Sequence, residues 1–150
     1  MVVRKFYRCE RIGAVEKSVG LILYREAPEG CLFLLLHYLG GHWDFAKGHV
    51  KKGESEKETA ARELCEETGI THCSIHDGFR GRIRYSFKRK KKTVSKEVVY
   101  YIARTDTGSV TLSDEHRGCE WLNADAARER LTFENSRRVL QDALAVIEGG

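Results

Sequence analysis

Three carboxylates lie within five residues of one another in the stretch from Gly48 to Ile70. In a helix, Glu63, Glu66 and Glu67 stand at positions i, i+3 and i+4, so their like charges repel by roughly 0.2–0.5 kcal/mol per pair. Clustered carboxylates with no Cys or His ligand among them suit a hard cation such as Mg²⁺ or Mn²⁺, which completes its shell with water or phosphate. The competing interpretation is a solvated helix face, on which glutamates are common.

The flanking residues predict that this stretch is helical. Ser55 followed by Glu58 is a capping-box pattern, and Gly53 precedes it as a loop residue. Gly69 stands where a left-handed helix terminator is expected. We therefore predict a helix from Ser55 to Thr68. Its core-facing stripe is predicted to consist of Ala60, Ala61, Leu64, Cys65 and Thr68.

The fixed positions of the whole stretch resemble the Nudix box of the nucleoside-diphosphate-linked hydrolases. The matching positions are Gly48, Glu54, the triplet Arg62-Glu63-Leu64, the pair Glu66-Glu67 and the pair Gly69-Ile70. The resemblance implies a loop-helix-loop that holds a divalent metal on the three glutamates, with Arg62 orienting the site and pairing with Glu54. It also implies an α/β/α sandwich with a mixed β-sheet.

Composition bounds the kind of protein that carries this motif. The chain has 150 residues, 41% of them hydrophobic and one a proline, so it can bury one good core, and we expect a single domain over residues 1–150. Charged residues interrupt the N-terminal segment, so no signal peptide or membrane span is expected and we predict a cytoplasmic protein. The five cysteines are odd in number and form no Cys-x-x-Cys pair, which favours reduced thiols.

Apolar runs and turn residues predict the remaining elements. Strands are predicted at Lys17–Arg25, Cys31–Leu39, Phe79–Phe87, Glu97–Arg104 and Glu120–Leu122. A helix is predicted near Asp125–Arg130 and another over Glu134–Glu148, with an apolar face made of Val139, Leu140, Ala143, Leu144 and Ile147. The interleaving of strands and helices indicates an α/β or α+β fold.

Segments beyond the box resemble one branch of the Nudix family, the asymmetrical diadenosine tetraphosphate hydrolases. The sequence HWDFAKGHV, from His42 to Val50, resembles their entry to the box, and the run from Arg82 to Ala103 resembles their hairpin. The similarity extends from about Ser18 to Leu144. Ala46 replaces a usual proline and Lys51 a common acidic residue, which leaves metal binding intact and removes a source of loop rigidity.

Phosphoanhydride chemistry and the resemblance together assign roles at the metal site. Glu63, Glu66 and Glu67 would hold Mg²⁺ or Mn²⁺, and the carbonyl of Gly48 would complete the shell. We take Glu67 as the general base, with Glu66 as the next choice. Glu115 matches an acidic position opposite the box and is assigned as a further metal ligand or alternative base. An ordinary loop glutamate is the competing interpretation of Glu115.

The same resemblance places residues along the substrate. Lys47, Lys96 and His42 match positions near the phosphate chain, where cations and a donor at neutral pH are useful, although a histidine beside tryptophan also fits a packing role. Tyr85 and Phe133 match a pair that stacks on adenine, and each stack contributes about 1–3 kcal/mol by analogy with single-strand binders. Burial of these rings in the core is the competing interpretation.

The resemblance implies metal-dependent, asymmetric hydrolysis of diadenosine tetraphosphate to ATP and AMP. An RNA 5′-triphosphate end or a diphosphoinositol polyphosphate is the alternative substrate, for which the KRKKK run from Lys88 to Lys92 would suit, unless that run is only a solvated hairpin tip. A nucleotide-sensing domain without catalysis is a third hypothesis, and the intact Arg62 and box glutamates argue against it.

The expected partner is a small nucleotide, with no membrane and with nucleic acid only under the RNA-end alternative. The net charge of +4 is too small to indicate nucleic acid by itself. We expect a monomer.

Overall fold

The sheet is organised around an apolar strand that is covered on both faces. In the computed structural model, which describes residues 15–149, this strand is β1 (Val15–Ala27). Val19 packs into one hydrophobic cluster and Ile22 into another on the opposite side. Because both faces are buried, the strand has a nearly continuous apolar sequence instead of an alternating one.

Seven further strands and three helices complete the described part of the chain. The strands are β2 (Gly30–Tyr38), β3 (Trp43–Asp44), β4 (Ala46–His49), β5 (Ser74–Ile75), β6 (Gly81–Arg89), β7 (Lys92–Arg104) and β8 (His116–Leu122). The helices are α1 (Glu56–Thr68), α2 (Ala124–Arg130) and α3 (Glu134–Gly149). β1 pairs with β7 in parallel and with β2 and β4 in antiparallel orientation, so the sheet is mixed.

The helices cover the two faces of this sheet. Ala60 and Leu64 of α1 pack with the cluster on one face, whereas Val139 and Leu140 of α3 pack with the cluster on the other, beside Ala127 of α2. The expected α/β/α sandwich is therefore confirmed. Within residues 15–149, no helix combines the length and the apolar character that a membrane span requires.

The ends of α1 are as the sequence predicts. The Glu58 N–H donates to Ser55 Oγ over 3.1 Å, and the Ser55 N–H donates to Glu58 Oε1 over 2.8 Å, which completes the capping box. Gly69 ends the helix in the left-handed conformation at φ 76°.

The predicted core stripe of α1 is partly wrong. Ala60, Leu64 and Thr68 are buried, but Ala61 and Cys65 are exposed. The buried face includes Glu67 instead, which is 4% exposed. The prediction failed because it assigned small apolar residues to the core and every glutamate to the surface.

The strand boundaries differ most from the predictions at the starts of β7 and β8, and β8 begins at His116, not at Glu120. β7 begins at Lys92, not at Glu97, because it pairs with β6 as far as the Arg89–Lys92 pair. Lys90 and Lys91 form the turn between the two strands, with φ values of 52° and 67°. Both values lie in the left-handed region, as in type I′ hairpin turns, whose two central positions are usually filled with Asn and Gly. The short strands β3, β4 and β5 were not predicted, because none spans a full apolar run.

The first turn of α1 is tied to the sheet through a carboxylate. Glu56 contacts Lys17 over 2.5 Å and Arg80 over 2.7 Å, and it accepts a hydrogen bond of 2.6 Å from the Tyr101 hydroxyl. These partners, Arg80 foremost, hold the pKa of Glu56 well below its usual range. The contacts fix the helix start over β1 and β7.

The reduced state of the thiols stays a prediction, and the four described cysteines form no disulfide with one another. Cys31, Cys65, Cys73 and Cys119 are free. Cys9 lies outside the described residues.

Candidate active site

A cleft of about 550 Å³ lies between β4, α1 and the turn that precedes β8. It brings together most of the residues predicted for metal and phosphate binding, namely Lys47, Gly48, Glu63, Glu66, Glu67, Lys96 and Glu115. A larger concavity of about 820 Å³ at the C-terminal end of α1 contains none of these residues. The residues of the smaller cleft, and not the size of the opening, mark it as the candidate site.

Arg62 connects the parts of the cleft. Its guanidinium donates to both carboxylate oxygens of Glu54, to Glu63 Oε2 over 2.9 Å and to Glu66 Oε1 over 3.2 Å. It also donates to the His49 carbonyl over 2.9 Å. The predicted Arg62–Glu54 pair is thus present. The fork of donors holds the box loop, the end of β4 and two glutamates of α1 together.

Gly48 leaves the room that Glu63 occupies. A Cβ atom at this position would lie 1.9 Å from Glu63 Cδ, so any side chain would displace the carboxylate. Gly48 lies opposite Val19 of β1 in the sheet, which keeps the close approach of β4 to α1 in place. The need for glycine here is therefore steric.

Glu67 lies at the buried edge of the cleft. Its Oε1 accepts a hydrogen bond of 3.2 Å from the Lys47 N–H. Burial, with smaller contributions from Glu63 and Glu115, raises the pKa of Glu67 to about 8. A carboxylate in this environment favours a positive charge close to it.

His116 is a buried neighbour that the sequence analysis did not assign to the site. Its Nε2 lies 3.8 Å from Glu67 Oε2 and has no hydrogen-bond partner among the described residues, while its Nδ1 lies 3.0 Å from Ser113 Oγ. Burial lowers the pKa of His116. The turn from Ser113 to His116, which carries Glu115, also binds α1 through the Ser113 N–H and the Glu67 carbonyl, 3.2 Å apart.

The donors of the cleft fit a hydrated hard cation. Within residues 15–149, no three His, Cys, Asp or Glu side chains converge into a preformed metal cage. Mg²⁺ does not need one, because it commonly takes one or two carboxylates and keeps waters or substrate phosphates in its remaining positions. Glu63, Glu66, Glu67 and Glu115 line one cleft and offer only oxygen donors, and the carboxylate of Glu63 is seated against Gly48.

A second, more apolar cleft of about 360 Å³ adjoins the first. Tyr85 and Phe133 line it together with Asp44, Lys47 and Ser136. The two rings are 40% and 46% exposed, so they are not core residues. Because Lys47 lines both clefts, a ligand spanning them would pass this residue.

The two predicted lysines lie in the first cleft, whereas His42 packs beside it. Lys47 Nζ lies 2.9 Å from Asp44 Oδ2, and Lys96 Nζ lies 3.4 Å from His49 Nε2. Burial and the charge of Lys47 lower the pKa of Lys96. His42 stacks on Tyr38 at 4.6 Å, as the packing interpretation expects, and its ring centroid is 5.4 Å from that of Phe133.

The two departures from the resemblance are both held by hydrogen bonds, Ala46 within the sheet and Lys51 by the Glu54 side chain. Ala46 begins β4, is buried and pairs with Leu21 of β1. The Lys51 N–H donates to Glu54 Oε1 over 3.0 Å. The segment on either side of Gly48 is thus held by β1 and by the Glu54–Arg62 pair.

Fold and site together define the class of the protein. A family model described as NUDIX domain matches residues 15–143, and the chain belongs to this family. Among its relatives, the asymmetrical bis(5′-nucleosyl)-tetraphosphatase of Rattus norvegicus is 40% identical over 138 residues, which cover 84% of this chain and 91% of the relative. The protein of the same name from Caenorhabditis elegans is 33% identical over 140 residues, with coverage of 90% and 99%. The crystal structure of a C. elegans Ap4A hydrolase binary complex matches with a TM-score of 0.80 at 31% identity, over 90% of this chain and 99% of that one.

The raised pKa of Glu67 predicts how its substitution changes stability. In the metal-free folded protein, the Glu67 carboxyl keeps its proton up to a pH of about 8, whereas in the unfolded chain it releases the proton near pH 4.5. The folding stability of the parent therefore falls as the pH rises through the window from 4.5 to about 8. Glu67→Gln removes this loss and is expected to be more stable than the parent, by a margin that grows across the window. Urea unfolding in EDTA at several pH values measures it.

Glu56→Gln is the control for this experiment. The pKa of Glu56 is lowered in the folded parent. The Glu56 carboxylate therefore stabilises the parent above pH 4.5, and this stabilisation is lost as the pH falls through the folded-state pKa. The two variants should therefore deviate from the parent in opposite directions near neutral pH. A margin for Glu67→Gln that does not change with pH would contradict the burial argument.

Proposed function

We propose that the protein hydrolyses diadenosine tetraphosphate asymmetrically to ATP and AMP, with Mg²⁺ as the metal. The observation that carries this proposal is the pair of adjoining clefts, one lined by carboxylates and the other by exposed aromatic rings, with Lys47 in both. The names of the relatives from R. norvegicus and C. elegans support the same substrate.

Cleavage of a phosphoanhydride requires neutralised phosphate charge and a water in line with the leaving group, with little covalent work by the protein. A bound divalent cation would supply charge neutralisation and activate the water. Glu63, Glu66 and Glu67 would hold it, with the Gly48 carbonyl and Glu115 as further ligands. Arg62 would keep two of these carboxylates in place when no metal is bound.

Among the carboxylates, Glu67 is best suited to act as the general base. Its side chain is almost fully buried and accepts a backbone hydrogen bond from Lys47, so its direction is fixed. Glu66 is half exposed and engaged by Arg62, and Glu115 is exposed. We therefore keep Glu66 and Glu115 as second choices for the base and as metal ligands.

The aromatic cleft would decide which phosphate is attacked. An adenine bound between Tyr85 and Phe133 would hold the substrate at a point far from the bond that breaks. Binding energy from such a remote contact can fix the position of the reacting phosphate. Lys47 and Lys96 would bind the phosphates between the base and the metal. Asymmetric products follow if one adenosine is held and the phosphate chain of the substrate has a single register relative to the metal.

Loss of the Glu67 carboxylate tests the metal and base roles. Glu67→Gln keeps the shape of the side chain and is expected to lower kcat by at least about 100-fold, as loss of a general base or metal ligand commonly does. Activity of the parent should disappear in EDTA and return with Mg²⁺. A variant within about threefold of the parent would remove Glu67 from the mechanism and assign the base to Glu66 or Glu115.

The aromatic pair tests the substrate. In ¹⁸O-labelled water, diadenosine tetraphosphate is expected to give ATP and AMP, and Tyr85→Ala is expected to cost about 1–3 kcal/mol in kcat/KM because a stack is lost. Leu39→Ala is the control, since Leu39 is 60% exposed and lines neither cleft. Two ADP molecules as products, or full activity of Tyr85→Ala, would contradict the proposed substrate.

The basic hairpin favours a second candidate substrate, an RNA 5′-triphosphate end or a diphosphoinositol polyphosphate. Lys88 at the end of β6, Lys90 and Lys91 in the turn and Lys92 at the start of β7 are exposed, and Lys96 further along β7 lines the carboxylate cleft. Arg89 differs from them, because it binds Glu16 over 2.7 Å and packs on the Phe87 ring. The tip thus adds positive charge on the strand that leads to the cleft.

Neutralising the four lysines to Gln measures their contribution. Exposed charges steer an anion over about a Debye length, so kcat/KM is expected to fall and its salt dependence to flatten, while kcat is unchanged. The double variant Glu16→Gln/Arg89→Gln is the control, because it removes an ion pair and leaves the net charge unchanged. If kcat/KM and its salt dependence are both unchanged, the lysine run is only a solvated hairpin tip. A loss of kcat/KM confined to RNA or inositol substrates would favour the second candidate.

A further inference from the structure

Asp44, at the end of β3, is a buried carboxylate that joins three parts of the molecule. Its side chain is 1% exposed. Its Oδ1 accepts hydrogen bonds of 2.9 Å from the Phe45 N–H and from the Ser136 hydroxyl. Its Oδ2 accepts one of 2.9 Å from Lys47 Nζ. A buried charge is costly unless it is paired and hydrogen-bonded, and Asp44 is both.

Lys47 is held both at its backbone and at the tip of its side chain. The ammonium group is bound by Asp44, and the backbone N–H of the same residue donates to Glu67 Oε1 over 3.2 Å. A lysine side chain is otherwise a flexible stem that ends in a point charge. Asp44 therefore fixes the ammonium group of a residue that lines both the carboxylate cleft and the aromatic cleft.

The other contact of Asp44 leads to the wall of the aromatic cleft. Ser136 lies in the first turn of α3, and its N–H donates to the Phe133 carbonyl over 3.1 Å. The carboxylate thus links the segment that carries Phe133 to the ammonium group of Lys47. These residues are far apart in sequence, and Asp44 joins them directly, beside the hydrogen bonds between Thr132 and Trp43.

We propose that Asp44 is a positioning residue that fixes Lys47 between the two clefts and so couples placement of the base to placement of the phosphates. This inference rests on the proposed function, in which Lys47 binds the phosphate chain. A preoriented ammonium group would set the register of that chain relative to the glutamates. With the ammonium group free to move, binding weakens and more than one phosphate can reach the metal.

Asp44→Asn tests this proposal with little change in shape. The amide oxygen can still accept from Phe45 and Ser136, but an NH₂ group then faces Lys47 and repels its ammonium group. The expected results are a loss in kcat/KM on diadenosine tetraphosphate of at least about tenfold and the appearance of ADP beside ATP and AMP. A purely structural role would not change the product pattern.

A double-mutant cycle separates positioning from other effects. Lys47→Met removes the charge at similar length, so in that background Asp44→Asn is expected to change kcat/KM by less than about twofold. An equal loss in both backgrounds would overturn the proposal. Glu56→Gln is the matched control, a carboxylate bound to Lys17 outside both clefts. It should change thermal stability but not the product pattern.

ATP binding in EDTA, measured by titration calorimetry, needs no turnover and tests the coupling separately. Asp44→Asn is expected to weaken this binding at least about threefold in the parent and not in Lys47→Met. No effect on ATP binding, or no ATP binding by the parent, would overturn the proposal. Failure of the parent to cleave diadenosine tetraphosphate, with the ATP cycle intact, would count against the proposed substrate alone.

Ser136→Ala provides a second variant if Asp44→Asn does not fold. It removes one hydrogen bond from Asp44 and leaves the pair with Lys47. A smaller loss in kcat/KM that is again absent in Lys47→Met is expected. A loss independent of Lys47 would overturn the coupling between α3 and the phosphates.

Discussion

The site depends on one guanidinium group. Arg62 satisfies both oxygens of Glu54, reaches Glu63 and Glu66, and binds the His49 carbonyl at the end of β4. Without it, carboxylates at neighbouring positions of a helix would repel one another and turn outward. The planar fork of arginine can serve several acceptors at once, which a lysine ammonium group cannot do with the same geometry.

The sheet supplies the second constraint. β1 is bonded to β4, which carries Lys47 and Gly48, and to β7, which carries Lys96. The two cations and the glycine that seats Glu63 therefore have positions set by one buried strand. The aromatic cleft is built differently, with Tyr85 from β6 and Phe133 from the segment before α3. The Phe133 wall is joined to Lys47 through Ser136 and Asp44, whereas the Tyr85 wall is joined to Lys96 through the pairing of β6 with β7.

Local features were predictable from the sequence, and long-range ones were not. The capping box and Gly69 involve residues a few positions apart, so Ser55, Glu58 and Gly69 alone defined the ends of α1. The burial of Glu67 and the exposure of Ala61 depend on how α1 is rotated against the sheet, which composition does not fix. The bond between Asp44 and Ser136, which are 92 positions apart in sequence, needs the whole fold.

His116 and the short strands illustrate the same limit. Nothing in the neighbouring sequence of His116 shows that its ring is buried 3.8 Å from Glu67. β3 and β4 are too short for periodicity to indicate them, although they carry Asp44 and Lys47.

The turn between β6 and β7 has a consequence for how this hairpin tolerates sequence change. Lys90 and Lys91 adopt left-handed backbone angles that a glycine or asparagine accepts at lower cost, on the order of 1 kcal/mol per residue. The two positive charges at the tip are therefore accompanied by a loss of local backbone stability. The strand pairs behind it, and the contact of Arg89 with Glu16, must compensate for that loss. Substitutions at these two positions can accordingly stabilise the folded chain and weaken its electrostatic field at the same time, so a more stable hairpin would be a less basic one.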